Sequence, residues 1–182
     1  MIFLVFIILT LLIFVIALFA FPSLSPVPYF PSNHKDIDLI IKEMKLTDSD
    51  TVVDLGAGDG VVIFRAASYA YAQRLNTKFI AIEINPILIV VMQIICLLHR
   101  NRKNILIKKF DMFNEPLDTL PIATRSALFY MYLSPRYLPA LAKKIAHLKM
   151  KRRIVTYFYS IDGLKANLTN TSGIHSISVY QM

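Results

Sequence analysis

The chain has 182 residues, 55% of them hydrophobic, and a formal net charge of +8. This length allows one domain with an appendage. The single cysteine, Cys96, excludes an internal disulfide and a cysteine-cluster metal site, and no metal is expected. The positive charge would suit an anionic membrane surface, an acidic partner or nucleic acid. We interpret it as a solvated face beside a membrane, and nucleic acid is not the expected partner.

The first 21 residues contain no charged side chain and a single polar one, Thr10. A helix of this length spans about 30 Å, the thickness of the hydrocarbon core of a bilayer. A cleaved signal peptide is the alternative, but the segment lacks a basic start, and Leu18 stands where a small residue should precede a cleavage site at Ala20. We predict an uncleaved, single-pass membrane anchor over residues 1–22. Because every Lys and Arg follows it, the domain is expected to face the cytoplasm.

The anchor is followed by a proline-rich stretch, residues 23–33, that is predicted to form an extended linker. Asn33 is the predicted N-cap of a helix from residue 34 to about residue 45, in which isoleucines share one face. The linker either contacts a ligand of the domain or only separates the domain from the membrane. The domain itself is expected over residues 34–182.

Residues 51–60 read Thr-Val-Val-Asp-Leu-Gly-Ala-Gly-Asp-Gly, and the rest of the chain is organised around them. A β-branched run ends at Asp54, three glycines then alternate with Ala57 and Asp59, and an apolar run follows. This pattern predicts a buried strand, a glycine turn and a helix, as in nucleotide-binding α/β proteins. The third glycine comes one residue too early for the dinucleotide fingerprint. Asp59 also disfavours a pyrophosphate at the helix N-terminus.

Strands and helices are predicted to alternate along the remaining sequence. Helices are expected over residues 61–74, 86–98 and 135–148, and strands over 51–55, 78–83, 105–110, 127–132 and 154–159. A basic turn at 149–153 is expected before the last of these strands, and strands 164–168 and 174–181 should form a C-terminal hairpin. The helix over 86–98 is apolar nearly all round, so its outer face is expected to contact lipid, a partner helix or a second copy.

The acid at the end of the first strand, the glycine turn and a second acid, Glu83, in Glu-Ile-Asn-Pro together resemble class I S-adenosylmethionine (SAM) methyltransferases. The resemblance implies a Rossmann-like α/β sheet with SAM as the cofactor. It places the glycine turn near the methionine part and Glu83 at the ribose hydroxyls, which a carboxylate can accept from. An acid after the third strand commonly recognises adenine in this fold, although Asp111 also fits an ordinary exposed turn. The implied cofactor residues are Asp54, Gly56, Ala57, Gly58, Asp59, Gly60, Glu83, Asn85, Asp111 and Met112.

A narrower resemblance rests on the apolar N-terminus, Pro-Tyr-Phe-Pro in the linker, Tyr132-Leu-Ser-Pro135 and the tail Ser-Val-Tyr-Gln. Together these resemble the membrane-associated protein-lysine methyltransferases that act on adenine nucleotide translocase and the ATP synthase c-subunit. The resemblance covers about residues 28–182 and implies a lysine amine as the methyl acceptor. Ser32 and Ser134 depart from the Thr and Leu that the family usually has. Tyr29, Phe30 and Ser32 would contact the cofactor if the linker does more than clear the membrane.

Tyr130 and Tyr132 are the candidate catalytic residues. Strand alternation puts them on one side of the fourth strand, with Met131 on the other. Tyrosine faces attract an ammonium, and tyrosine hydroxyls orient an amine, so Tyr157 and Tyr159 are expected to extend the same wall. The chain lacks the Asn/Asp-Pro-Pro-Tyr/Phe signature of enzymes that methylate planar nitrogens. A lipid or quinone-type acceptor and a non-catalytic membrane scaffold remain as alternatives.

Overall fold

The computed structural model describes residues 2–20, 29–122 and 126–182, without the side chains of residues 15–20. The helices are α1 (Ile2–Ala20), α2 (Ile37–Met44), α3 (Val61–Ala72), α4 (Pro86–Leu98) and α5 (Leu138–Ala146). The strands are β1 (Thr51–Leu55), β2 (Lys78–Glu83), β3 (Ile105–Lys109), β4 (Ser126–Met131), β5 (Lys151–Tyr157), β6 (Leu168–Asn170) and β7 (Ile177–Gln181). Residues 23–28 of the predicted linker lie outside the described residues.

The seven strands form one sheet in the order β3-β2-β1-β4-β5-β7-β6. The first five strands in this order are parallel, and β7 is antiparallel to both β5 and β6. The predicted Rossmann-like α/β sheet with a C-terminal hairpin is therefore confirmed, but the hairpin strands differ from the predicted 164–168 and 174–181: β6 covers Leu168–Asn170 and β7 begins at Ile177. The strand order reverses between β1 and β4, and in open α/β sheets ligands bind at such a point, beyond the carboxyl ends of the strands.

The sheet has helices on both faces. One apolar core joins α2, α3 and α4 to one face, and it includes Tyr130 and Tyr157. The other core joins α5 to the opposite face, and it includes Met131 and Leu133. The central strands β1 and β4 are almost wholly buried because both of their faces are covered. The predicted placement of Tyr130 and Met131 on opposite faces is confirmed.

The starts of α2 and β5 differ from prediction because of contacts that are distant in sequence. The helix α2 begins at Ile37, so Asn33 is not its N-cap; its side-chain oxygen accepts from Lys35 N at 3.0 Å in the preceding turn. The residue before α2 is Asp36, whose buried carboxylate accepts from Tyr157 Oη at 2.7 Å and from the backbone N–H groups of Ile174 and His175. These bonds hold the start of α2 against β5 and the C-terminal hairpin.

The predicted basic turn at 149–153 is wrong in part, because β5 already begins at Lys151. Arg153 donates to Met44 O and to Asp50 Oδ2, each at 2.8 Å, so this cation joins β5 to the segment before β1. The strand β5 thus starts three residues before the predicted position, and it ends two residues before the predicted end, at Tyr157. Tyr159 therefore lies in the loop after the strand and not in the strand itself.

The N-terminal helix α1 is apolar apart from Thr10, and its described side chains, from Ile2 to Phe14, are exposed. Over the residues that the structure describes, no helix is both long enough and apolar enough to cross a bilayer. The anchor over residues 1–22 and the cytoplasmic orientation stay predictions.

Candidate functional site

The glycine turn lies at the carboxyl end of β1, where the strand order reverses. Gly56, Gly58 and Gly60 all have positive φ, at 80°, 60° and 78°. The N–H groups of Gly56 and Ala57 both donate to Ile82 O, at 3.1 and 2.9 Å, which ties the turn to β2. At φ of 60° Gly58 adopts a left-handed conformation that costs other residues free energy. The backbone of the turn is thus fixed.

Glu83, the last residue of β2, reaches back to this turn. Its Oε2 accepts from Gly58 N at 2.9 Å, and its Oε1 accepts from Ile84 N at 2.8 Å and Asn85 N at 3.0 Å. Asn85 in turn caps α4, because its Oδ1 accepts from Ile87 N at 2.9 Å. The structure therefore brings together the second acid, the glycine turn and Asn85, as the sequence predicted.

Asp54 lies beneath the turn and is buried, with 3% of its surface exposed. Burial, followed by the charges of Glu83 and Asp59, raises the pKa of Asp54 to about 8. Asp59 itself accepts from Val61 N at 3.0 Å, at the start of α3. Three carboxyl groups thus surround one turn, yet in the described part of the chain no group of acids, histidines and cysteines could hold a metal ion. This concentration of acids favours a cationic ligand over a phosphate group.

The end of the linker covers the glycine turn. A Cβ placed at Gly58 would lie 2.8 Å from Cε2 of Tyr29, so the tyrosine ring packs directly on the glycine. Burial, the charge of Asp59 and a hydrogen bond to it raise the pKa of Tyr29. Ser32 is buried and shares a hydrogen bond of 2.9 Å with the hydroxyl of Tyr130. The linker is therefore part of the site wall and not a spacer alone.

Tyr130 pairs in register with Asp54, because β4 lies next to β1. It is 2% exposed, and burial raises its pKa while the Ser32 bond opposes the rise. Tyr132 is half-buried and packs edge-on against Tyr157, with ring centroids 4.9 Å apart. Burial and then Tyr159 raise the pKa of Tyr132, which places Tyr159 nearby although it lies outside β5. Of the two candidate catalytic residues, Tyr132 is thus the accessible one.

Asp111 follows β3 and closes a local turn. Its Oδ1 accepts from Phe113 N at 2.9 Å, and its Oδ2 accepts from Asn114 Nδ2 at 2.7 Å. Burial would raise its pKa, but these hydrogen bonds and the Lys144 cation lower it. The carboxylate is thus ionised and oriented by its own turn, and its contact with adenine stays a prediction.

Met112 reaches the glycine turn from the other face of the sheet. A Cβ at Gly56 would lie 3.5 Å from Met112 Cε and 3.3 Å from Leu133 Cδ2. Sequence reasoning included Met112 but missed Leu133. A signal was present, because Leu133 comes just after β4, and the carboxyl ends of neighbouring parallel strands meet at one edge of the sheet.

No protein-family model matches the sequence. No curated protein matches it either. Solved structures do match the fold. An RNA methyltransferase from Salinibacter ruber, in complex with S-adenosyl-L-homocysteine, is 18% identical and superposes with a TM-score of 0.67 over 84% of this chain and 93% of its own. The chain has the methyltransferase fold.

Two further structures share this fold. A precorrin-6y C5,15-methyltransferase from Geobacter metallireducens GS-15 is 16% identical, with a TM-score of 0.58 over 82% of this chain and 87% of its own. A SAM-dependent methyltransferase from Aquifex aeolicus is also 16% identical, with a TM-score of 0.53 over 81% and 89%. The expected class I fold is thus confirmed, whereas none of these structures is described as a lysine-specific or membrane-bound enzyme.

Proposed function

We propose that this protein is a SAM-dependent methyltransferase. The observation that carries the proposal is the convergence of Asp54, Asp59 and Glu83 on a turn of three positive-φ glycines in a methyltransferase fold. SAM carries a sulfonium and an ammonium, which nearby carboxylates attract. The same carboxylates would repel a pyrophosphate. When bound, SAM supplies an electrophilic methyl group for an in-line displacement.

The residues present fit this cofactor. Glu83 Oε2 accepts a single backbone N–H and keeps an acceptor position for a hydroxyl donor, which is the chemistry that a ribose requires. Buried Asp54 lies where a positive group would stabilise its ionised form. The apolar side chains of Met112 and Leu133 line the turn at Gly56, where no Cβ intervenes. Asp111 is assigned to the adenine amino group, next to the end of β2.

For the acceptor we propose a lysine amine of a membrane-associated protein. The support is the tyrosine wall, in which half-buried Tyr132 packs on buried Tyr157. The accessible ring of Tyr132 would attract an ammonium group, and its hydroxyl would orient the neutral amine that reacts. Buried Tyr130 acts by holding Ser32 and the linker in place. The apolar α1 supports a membrane location with the domain on the cytoplasmic side. Methyl transfer then requires alignment and exclusion of water, and the linker over Gly58 contributes to both.

A lipid or quinone-type acceptor is the second candidate. The observation that favours it is the exposed apolar face of α4, which includes Ile94 and Leu98. A third candidate is a non-catalytic scaffold with the methyltransferase fold. Such a protein would bind SAM without transferring its methyl group.

We expect Tyr132→Phe to lower methyl transfer to membrane proteins by about tenfold or more, because the hydroxyl that orients the amine is lost. The affinity for SAM should not change. Methyl-labelled SAM is added to membranes with the full-length protein, and the label is recovered as methyl-lysine after hydrolysis. Tyr69→Phe, an exposed change on α3, is the matched control.

The same experiment separates the three readings. Label that partitions wholly into the organic phase contradicts a lysine acceptor and supports a lipid or quinone. Bound SAM with no label in any fraction supports the scaffold. Equal methyl transfer by the wild type and Tyr132→Phe would show that the Tyr132 hydroxyl has no part in the reaction. It would not contradict a lysine acceptor.

A further inference from the structure

The outer face of α4 is apolar although it is exposed. A helix that covers a sheet needs only one apolar stripe, and α4 supplies it with Leu88, Ile89 and Met92. On the other side, large apolar residues recur at i, i+4, i+7 and i+8 and share one face. They are Val90 (52% exposed), Ile94 (59%), Leu97 (66%) and Leu98 (88%). No residue of α4 is charged. This apolar face is therefore a surface for contact with something outside the domain.

Cations gather at the C-terminal end of this face. A groove of about 950 Å³ separates the end of α3 from the loop after α4, and its lining includes Arg74, Arg100, Arg102 and Lys103 but no acid. Arg102 Nη1 donates to Leu97 O at 3.0 Å, which fixes one cation directly at the end of the apolar face. An apolar helix face with a basic cluster at its end matches the charge and polarity of an anionic membrane interface.

The edge strand β3 packs against α4 and adds one cation beside it. Ile105 and Ile107 pack on the core under α4, and alternation puts Lys109 on the same face of the strand. Leu106 and Lys108 point to the opposite face of the sheet, so they do not belong to this surface.

We propose that the outer face of α4 docks onto an anionic phospholipid surface, with the side chains of Val90, Ile94, Leu97 and Leu98 in the interface and the groove cations at headgroup phosphates. A second copy fits poorly, because in a two-fold contact the partner presents this same apolar and basic surface and offers no anionic group to the groove cations of chains that each carry +8. A lipid surface offers both kinds of partner: acyl chains for the apolar side chains of this face, and headgroup phosphates for the cations at its end.

Docking would place the candidate site near the bilayer. The helix begins at Pro86, three residues after Glu83, and its 13 residues extend about 20 Å along the surface. The edge that carries the glycine turn then lies at the N-terminal end of the docked helix. This contact depends neither on α1 crossing the bilayer nor on methyl transfer, and it can fail or succeed separately from the proposed function.

A depth-sensitive probe on α4 tests the proposal. Cys96 is the single cysteine, so Cys96→Ala gives a background in which Ile94→Cys can carry an environment-sensitive fluorophore. The full-length protein is placed on nanodiscs with one copy per disc, made of phosphatidylcholine alone or with phosphatidylglycerol. Thr171→Cys, exposed in the β6–β7 turn, is the matched control. We expect a blue shift and quenching by spin-labelled lipid at position 94, stronger with phosphatidylglycerol, and neither at position 171.

A second experiment removes two cations of the groove. Arg100→Gln with Lys103→Gln should lower the quenching at position 94 by about twofold or more, because each cation adds attraction to the anionic surface. Lys149→Gln with Lys165→Gln removes the same charge from exposed positions elsewhere and should leave the quenching unchanged. Water-like emission at position 94 on both kinds of disc overturns the proposal. So does a blue shift without lipid quenching, which would show that protein covers α4, and so does an equal effect of the two charge pairs.

Discussion

The unliganded protein should lose stability as the pH rises from about 5 to about 9, and Asp54→Asn should remove most of this loss. Burial, then Glu83 and Asp59, raise the pKa of Asp54 to about 8, whereas the unfolded chain has an ordinary value of about 3.9. The folded state therefore keeps a proton that the unfolded state has released. This contribution is fully present below the unfolded pKa and is lost as the pH passes the folded one. Linkage sets an upper limit of about 4 kcal/mol on the change between pH 5 and pH 9.

Urea unfolding of the full-length protein in mild detergent, repeated across this pH range, measures the effect. Asn keeps the shape of Asp54 but cannot ionise, so the variant should be the more stable protein at about pH 9. Asp118→Asn, an exposed change, is the control and should follow the wild type. A wild-type free energy of unfolding that rises between these pH values, or an Asp54→Asn profile with the wild-type slope, would contradict a protonated Asp54 in the unliganded fold.

Replacing Glu83 by Ala should weaken SAM binding by about two orders of magnitude or more. A hydrogen bond to a charged group contributes about 1.5–3 kcal/mol, and the carboxylate is assigned to the ribose. Its loss also removes the acceptor for Gly58 N, Ile84 N and Asn85 N, which fix the turn and the start of α4. Calorimetric titration of SAM into the full-length protein gives the affinity.

Two controls separate lost binding from lost folding. Glu83→Gln keeps one acceptor oxygen and the shape of the side chain, so it should bind SAM more weakly than wild type but better than Glu83→Ala. Thermal unfolding of each variant shows whether the domain remains folded. If folded Glu83→Ala binds SAM as well as wild type does, Glu83 does not hold the cofactor.

The elements around the site were predictable because local chemistry determines them. The limits of β1 and β2 follow from apolar runs that end in an acid or a glycine, and the start of α4 follows from Asn85 and Pro86. In a parallel sheet these ends meet at one edge, so the encounter of Glu83 with the glycine turn followed from strand order alone.

The errors arose where a partner lies far along the chain. Asn33 was the predicted N-cap of α2, but the helix starts later, after Asp36, which accepts from Tyr157 and from residues more than 130 positions away. Arg153 would read as a solvated cation, but it bonds to Asp50 and draws the basic run into β5. The packing of Tyr29 on Gly58 likewise depends on how the linker returns over the sheet. No periodicity within a segment encodes such contacts.

The acceptor side was predicted only in part. Alternation placed Tyr130 and Tyr132 on the same face, but it did not show that Ser32 binds the hydroxyl of Tyr130 and leaves Tyr132 as the accessible one. The burial of Tyr130 depends on the linker, and the sequence of the linker is equally typical of a spacer. The tyrosine wall therefore emerged from tertiary contacts between β4, β5 and the segment before α2.

Direct binding of SAM tests the central claim most simply. The full-length protein is titrated with SAM, S-adenosyl-L-homocysteine, ATP and NAD, each in turn, at one pH and salt concentration. Acids around the glycine turn predict saturable one-to-one binding of SAM and of S-adenosyl-L-homocysteine, lost in Glu83→Ala, and no binding of the two phosphate-containing ligands at this turn. Failure to bind SAM, or binding of ATP or NAD that Glu83→Ala abolishes, would contradict the assignment of this site.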